Sequence, residues 1–209
     1  MKCVCISDTH RHHREIKVPN GDLLIYSGDI GLETVRQQNV LYDFNTWLGE
    51  LPHKHKIIVA GNHDWLLYHL TKSAAKQLFT NATYLDQEEA IIDGLKIYGD
   101  PRQPAFCNWA WNIPRGEPLK KVWSNIPNDT NILVTHGPPY GILDNLFEEL
   151  LGDEYLLDKI KQLNNLKLHV FGHIHNGYGK IKKQKTTFVN ASICTEEYEP
   201  INKPIVVNV

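Results

Sequence analysis

Long apolar runs are absent from this sequence. Its purely hydrophobic stretches, such as Ile57-Ile58-Val59-Ala60, span only a few residues, far short of the roughly 20 that a membrane-spanning helix needs. A transmembrane helix is therefore excluded. An excess of charge of one sign is missing too: 22 Lys and Arg against 24 Asp and Glu leave a formal charge of −2. No broad positive field exists to hold a nucleic-acid backbone through charge neutralisation, so a stable nucleic-acid complex is not expected. Cysteine is scarce, at four residues. Cys3 and Cys5 lie two apart on one predicted strand while Cys107 and Cys194 are isolated, so neither a zinc-knuckle spacing nor a disulfide framework can be assembled. All four are expected to be reduced thiols. The N-terminus runs Met-Lys-Cys-Val-Cys-Ile straight into polar Ser7-Asp8, without the apolar segment of a secretory signal, and the expected location is cytoplasmic.

Histidine is what the chain has in quantity, eleven in all. Any metal would be held by imidazoles and carboxylates rather than thiolates. The rest of the composition, 42% hydrophobic and 22% charged, is that of an ordinary globular protein. With no internal repeat, low-complexity tract or linker, residues 1–209 are expected to form one domain.

Short runs rich in β-branched residues, each bounded by turn formers, predict strands over Lys2–Ser7, Asp22–Ser27, Lys56–Ala60, Gly94–Gly99, Asn131–Thr135, Lys167–Phe171, Thr186–Asn190 and Ile205–Val209. Patterns of helical period predict helices over Glu33–Leu51, Trp65–Phe79, Pro118–Asn125 and Asp153–Asn164. In the first of these Val35, Leu41, Phe44, Trp47, Leu48 and Leu51 make one stripe. Alternating strand and helix, with strands apolar on both faces, means α/β.

The segments just after the strands carry the chemistry. Five strands run into polar groups: Asp8-Thr9-His10, Gly28-Asp29, Gly61-Asn62-His63-Asp64, His136-Gly137, and Gly172-His173-Ile174-His175. Ligands of open α/β sheets bind at the carboxyl ends of strands, so these loops can converge. Asp8, His10, Asp29, Asn62, His136, His173 and His175 supply three oxygen donors and four imidazoles, a set suited to Mn, Fe, Zn, Ni or Mg. They are too many for one tetrahedral ion and right for two that share a bridging carboxylate. Glycines at 28, 61, 137 and 172 are expected to let the backbone turn beneath the ions. Singly, each motif also reads as ordinary turn or cap chemistry; their order along the chain carries the specificity.

The series Asp-x-His, Gly-Asp, Gly-Asn-His-Asp, His-Gly and Gly-His-x-His resembles the calcineurin-like metallophosphoesterase superfamily. Cys5-Ile-Ser-Asp-Thr-His10, Thr46-Trp-Leu-Gly49, Asn112-Ile-Pro-Arg-Gly116, Thr135-His-Gly-Pro-Pro139, Lys167-Leu-His-Val-Phe-Gly-His173, Gly177-Tyr-Gly179 and Asn190-Ala-Ser192 are similar to its metallophosphoesterase domain-containing subfamily. The resemblance implies a four-layer αββα sandwich of two mixed β-sheets flanked by helices. It also implies phosphodiesterase activity with two divalent ions, manganese favoured, and small nucleotides, cyclic ones included, as substrates. It places Asp8, His10 and His175 on one ion and Asn62, His136 and His173 on the other, with Asp29 bridging. Some animal members lack the first His of Gly-His-x-His; His173 is present here. Two such ions can lower the pKa of bound water toward ~7 for in-line attack on phosphorus. His63 would then protonate the leaving oxygen, with Asp64 either orienting that imidazole or capping the helix at Trp65.

Other readings stay open at this level. The same site suits a phosphomonoesterase or a nuclease, and a fold of this kind can also serve as a non-catalytic binding scaffold. Between Phe106 and Asn112, Asn108 and Trp109 are candidates to bind substrate, unless the tryptophans fill the gap between sheet and helix. Arg102 or Arg115 is a candidate partner for a phosphate oxygen. His12, His13, His53, His55, His69 and His169 match no motif, and Lys180, Lys182, Lys183 and Lys185 read as a solvated strand face. The oligomeric state is not legible.

Overall fold

The computed structural model describes residues 1–209. In its first part strand and helix alternate: β1 (Lys2–Ile6), β2 (Leu23–Ser27), α1 (Gln38–Glu50), β3 (His55–Val59), α2 (Trp65–Tyr68), α3 (Lys72–Leu78) and β4 (Thr83–Tyr84). Then come β5 (Glu88–Ile92), β6 (Leu95–Asp100), a small ribbon of β7 (Gln103–Pro104) with β8 (Asn112–Ile113), α4 (Glu117–Trp123) and β9 (Ile132–Thr135). A hairpin of β10 (Asn145–Leu146) and β11 (Glu149–Leu150) precedes α5 (Glu154–Gln162), β12 (Leu168–Phe171), β13 (Gly179–Lys183), β14 (Thr186–Asn190) and β15 (Ile205–Asn208).

Two mixed sheets result. One has the order β15-β1-β2-β3-β4, parallel except for β15; the other is β13-β14-β12-β9-β6-β5, with antiparallel strands at both edges. Side chains alternate across each strand, and the sequence uses both faces. Cys3, Cys5, Leu23, Ile25, Ile57 and Val59 point inward against Ile97, Ile132, Val134, Leu168 and Val170 of the other sheet. Their neighbours Val4, Ile6, Leu24, Tyr26 and Ile58 point outward against Phe44, Trp47 and Leu48 of α1 and against α2 and α3. On the far side Tyr98, Leu133, Phe171 and Phe188 pack under Leu119, Trp123, Leu156 and Ile160 of α4 and α5. This is the four-layer αββα sandwich.

The sheets meet at the carboxyl ends of their parallel strands, where Ser7 N–H donates to the Ala191 carbonyl (2.9 Å) and Ile193 N–H to the Ser7 carbonyl (2.8 Å). That join carries the predicted loops of both sheets to one place.

Three expectations need correction. Helix α1 starts at Gln38 rather than Glu33, and Val35 is 49% exposed, off the apolar stripe; the segment before it is drawn away because Gly31 and Leu32 N–H groups bond to Asp64. The segment Trp65–Phe79 is two helices, because the Thr71 hydroxyl accepts the Ala74 N–H (3.2 Å) and begins a new one, the usual action of an N-cap threonine. Strand β5 has no counterpart among the predicted strands, since it opens on two glutamates and exposes Glu89 and Ile91; the signal lies in Asp93-Gly94, both at positive φ (47° and 79°) in the turn to β6, as a tight hairpin requires.

Candidate metal centre

Each candidate ligand sits where a buried strand has just ended, and several are held in a backbone conformation that L-residues avoid. Asp8, His10, Asp29 and His173 have φ of 51°, 42°, 60° and 68°, at a cost on the order of 1–3 kcal/mol each. The fold holds them there by hydrogen bonds: Asp8 N–H to the Gly28 carbonyl (2.8 Å), His10 N–H to the Asp29 carbonyl (3.1 Å), and His173 N–H to the Asp8 carboxylate (3.1 Å). A Cβ on Gly61 would fall on the Asp29 carboxylate, and one on Gly172 would fall on that of Asp8. Gly28 makes a similar close approach to His136; Gly137, against expectation, meets the Gln103 and Pro104 side chains at ordinary distances.

The side chains converge. Asp8, His10 and His175 form one group of ligand atoms within 4.8 Å of one another, and Asp8, Asp29 and His136 form a second. Asp29 Oδ2 faces both histidines, 3.8 Å from His10 Nε2 and 3.4 Å from His136 Nε2. Asn62 Oδ1 lies 2.8 Å from His136 Nε2, and Asp8 Oδ1 lies 3.3 Å from His175 Nε2. His173 stands at the rim, its ring 5.0 Å from that of His136. All seven candidates are thus brought together.

The donor set fits two cations. His136 Nδ1 donates to the Ser27 carbonyl (2.9 Å) and His175 Nδ1 to the Thr195 carbonyl (2.8 Å), which turns both Nε2 atoms toward the carboxylates. Such carbonyl contacts are how proteins orient ligating imidazoles. Burial opposes the charged forms, but Asp29 raises His136 to about 9, and Asp8 does the same for His175. Asp8 and Asp29 are in turn held below the usual carboxylate range despite burial, by His175 and His136 respectively. Burial dominates at His10 and His173, which fall to about 4 and about 3. Without metal, two shared protons balance two buried carboxylates, and those are the positions cations would take.

His63 lies beside this cluster. Its backbone N–H donates to Asp29 Oδ1 (2.8 Å), its ring lies edge-on to His10 at 5.0 Å, and Trp109 covers it at 4.1 Å. Its Nδ1 is 3.8 Å from Glu33 Oε1. Glu33, not Asp64, is the carboxylate nearest that nitrogen, but it lies outside hydrogen-bond reach and Nδ1 has no partner. The Asp64 carboxylate instead accepts N–H groups of Asp29 (3.1 Å), Gly61 (2.8 Å), Gly31 (3.1 Å) and Leu32 (3.4 Å), and its side chain does not cap α2. It ties the loops after β2 and β3 together. Burial, then the nearby Asp29, pushes it up to about 7.

The cavity over the cluster measures about 350 Å³ and is walled by Phe106, Cys107, Trp109, Glu196 and Tyr198. Both readings of the tryptophans hold, one for each: Trp109 faces the cavity, while Trp111 is buried against the Arg102 guanidinium. Asn108 is exposed and outside the cavity wall. Arg102 is committed to Asp86 and Asp100 (3.0 and 2.8 Å). Arg115 is a strut rather than a free phosphate ligand: its fork takes the Leu151 and Gly152 carbonyls (2.7 and 2.8 Å), with Glu154 at 3.4 Å. Glu33, Glu196 and Tyr198 belong to the site without any motif to announce them. Tyr198, at φ 63°, packs edge-on against His10 at 4.6 Å. The only hint of Glu33 is a carboxylate in the loop that carries Asp29.

Fold and ligand geometry together define a metallophosphoesterase, and the sequence profile described as Calcineurin-like phosphoesterase matches residues 1–177. The chain belongs to that family. It is 40% identical to human metallophosphoesterase domain-containing protein 1 over 98% of its length and 70% of the relative's. It is 35% identical to UPF0046 protein K07C11.7 of Caenorhabditis elegans, covering 99% of this chain and 74% of that one. Among solved structures, phosphopantetheinyl hydrolase from Mycobacterium tuberculosis superposes with a TM-score of 0.62 at 15% identity, over 98% of this chain and 95% of the other; this likeness is one of fold. No helix is long and apolar enough to cross a membrane.

Proposed function

We propose that the protein is a dinuclear metal-dependent phosphodiesterase acting on small, cyclic or linear, nucleotides. The observation that carries the reading is Asp29 Oδ2, set between Nε2 of His10 and Nε2 of His136 at 3.8 and 3.4 Å, the position of a carboxylate shared by two ions. Asp8, His10 and His175 would hold one cation, and Asn62, His136 and His173 the other. Manganese is favoured among the metals that this nitrogen and oxygen set accepts. When bound, such a pair clamps phosphate oxygens and makes water acidic enough to attack phosphorus.

The chain's own part is positioning and proton transfer. Asp29 accepts the His63 N–H, which ties the acid to the ligand loop. Trp109 against one face of the His63 ring and Glu33 beside Nδ1 leave Nε2 to meet the departing oxygen and protonate it. Phe106, Trp109 and Tyr198 narrow the access of bulk water. A near-neutral charge of −2 favours small substrates over RNA.

Asp29→Ala, loaded with manganese and assayed on bis(4-nitrophenyl) phosphate, should lose metal and nearly all turnover. Wild-type turnover in that variant would overturn the proposal. Rates on a monoester, a cyclic nucleotide and a short single-stranded RNA then rank the substrates, and preferred RNA cleavage would defeat the small-substrate part.

A further inference from the structure

A second cleft opens beside the metal cavity. It measures about 290 Å³, and its walls are Pro104, Phe106, Pro138, Leu146, Leu151 and Ile174. Phe106, His173 and Glu196 belong to both spaces, so the two adjoin at His173. His63 lines only the metal cavity. The one cation in the cleft wall, Arg115, is spent on the Leu151 and Gly152 carbonyls and on Glu154. Nothing there awaits a second phosphate.

We infer that this cleft receives the ester arm that stays on phosphorus, and that the arm is uncharged and carries an aromatic ring, as the nucleoside of a nucleotide does. The inference rests on the phosphoesterase reading above and deepens it by naming the substrate class. Position decides which arm: the departing oxygen must face His63, and the cleft lies on the His173 side. Lining decides the chemistry. The flat rings of Pro104, Pro138 and Phe106 suit a planar guest, which buries apolar area while freezing few rotors. The volume accommodates a ring system. A monoester has no second arm and would leave these walls in water, so the cleft also favours diesters.

The binding test uses manganese-loaded full-length protein and two phosphonates whose carbon–phosphorus bond is not hydrolysed. By calorimetry, phenylphosphonate should bind about tenfold tighter than methylphosphonate, as partial burial of one ring provides. Leu146→Asp places a charge in the wall and Ala105→Trp fills the mouth; both side chains are partly or fully exposed, and circular dichroism with metal analysis confirms folding. In each variant the preference should fall toward one. The kinetic arm compares phenyl 4-nitrophenyl phosphate with methyl 4-nitrophenyl phosphate, which share a leaving group. The phenyl diester should show the lower KM, and the same variants should erase that difference. Equal affinities for the two phosphonates, with hydrolysis intact, would overturn the cleft assignment and spare the phosphodiesterase. A tenfold preference with hydrolysis of neither diester would overturn the activity and spare the cleft.

Discussion

Glu33 Oε1 stands 3.8 Å from Nδ1 of His63, and Arg11 lies 3.5 Å from the same carboxylate. A half-exposed carboxylate from the Asp29 loop is thus the acid nearest the imidazole, outside hydrogen-bond reach, while the buried Asp64 holds the backbone. Glu33→Gln should keep both metals and lower kcat several-fold with KM little changed. His63→Ala should also keep metal while losing on the order of 10²–10⁴-fold in turnover. Metal loss in His63→Ala, measured by elemental analysis, would assign that ring to ligation instead.

Asp64 has a structural task that can be separated from catalysis. Its carboxyl group accepts four backbone N–H groups within 3.4 Å and is buried, and each buried donor left without a partner costs about 1–3 kcal/mol. Asp64→Ala should lower unfolding free energy by at least about 3 kcal/mol, read from urea titration of metal-free protein. A loss below about 1 kcal/mol would mean that the loops find other donors and acceptors.

Metal uptake should depend on pH with a definite sign. His136 and His175 stand at about 9 in the metal-free chain, against an ordinary 6.5, so cations must displace their protons. Apparent affinity should rise with pH and level off above about 9, with proton release visible by calorimetry in buffers of different ionisation enthalpy. The same shifts set the stability of metal-free protein. Because the folded-state values are raised, the stabilisation is full below 6.5 and is lost as pH climbs through about 9. The melting temperature of chelated protein should therefore fall across that window, and that of the manganese form should fall less.

Gly61 tests the close packing under Asp29. A methyl at that position meets the Asp29 carboxylate and backbone N and the His136 ring, so Gly61→Ala should weaken metal binding at least tenfold. Gly137→Ala, whose Cβ meets Gln103 at 3.4 Å and Pro104 at 3.9 Å, should bind metal as the parent does. Equal metal content in the two variants would show that the loop yields.

The donor residues were readable because their placement is local. A buried strand ends, the chain turns at Gly28 or Gly61, and the next polar side chain faces the crevice, whatever the rest of the molecule does. The apolar character of both faces of β1, β2 and β3 was equally local and meant α/β; the four layers were implied only by the family resemblance. Helix boundaries were not: Val35 kept the helical period, but hydrogen bonds from Gly31 and Leu32 to a residue over thirty positions away held the preceding segment off the helix.

By itself, then, the sequence determined which side chains could ligate, and that they would all lie at strand ends, because period and turn chemistry act over a few residues. Only the tertiary structure decided their partners. Asp8 and the His173 N–H are 165 positions apart, the choice of Glu33 over Asp64 depends on how two loops cross, and Arg115 was drawn from phosphate to the open carbonyls before α5. Such pairings are set by sheet order and by which backbone groups remain unsatisfied once the sheets have packed.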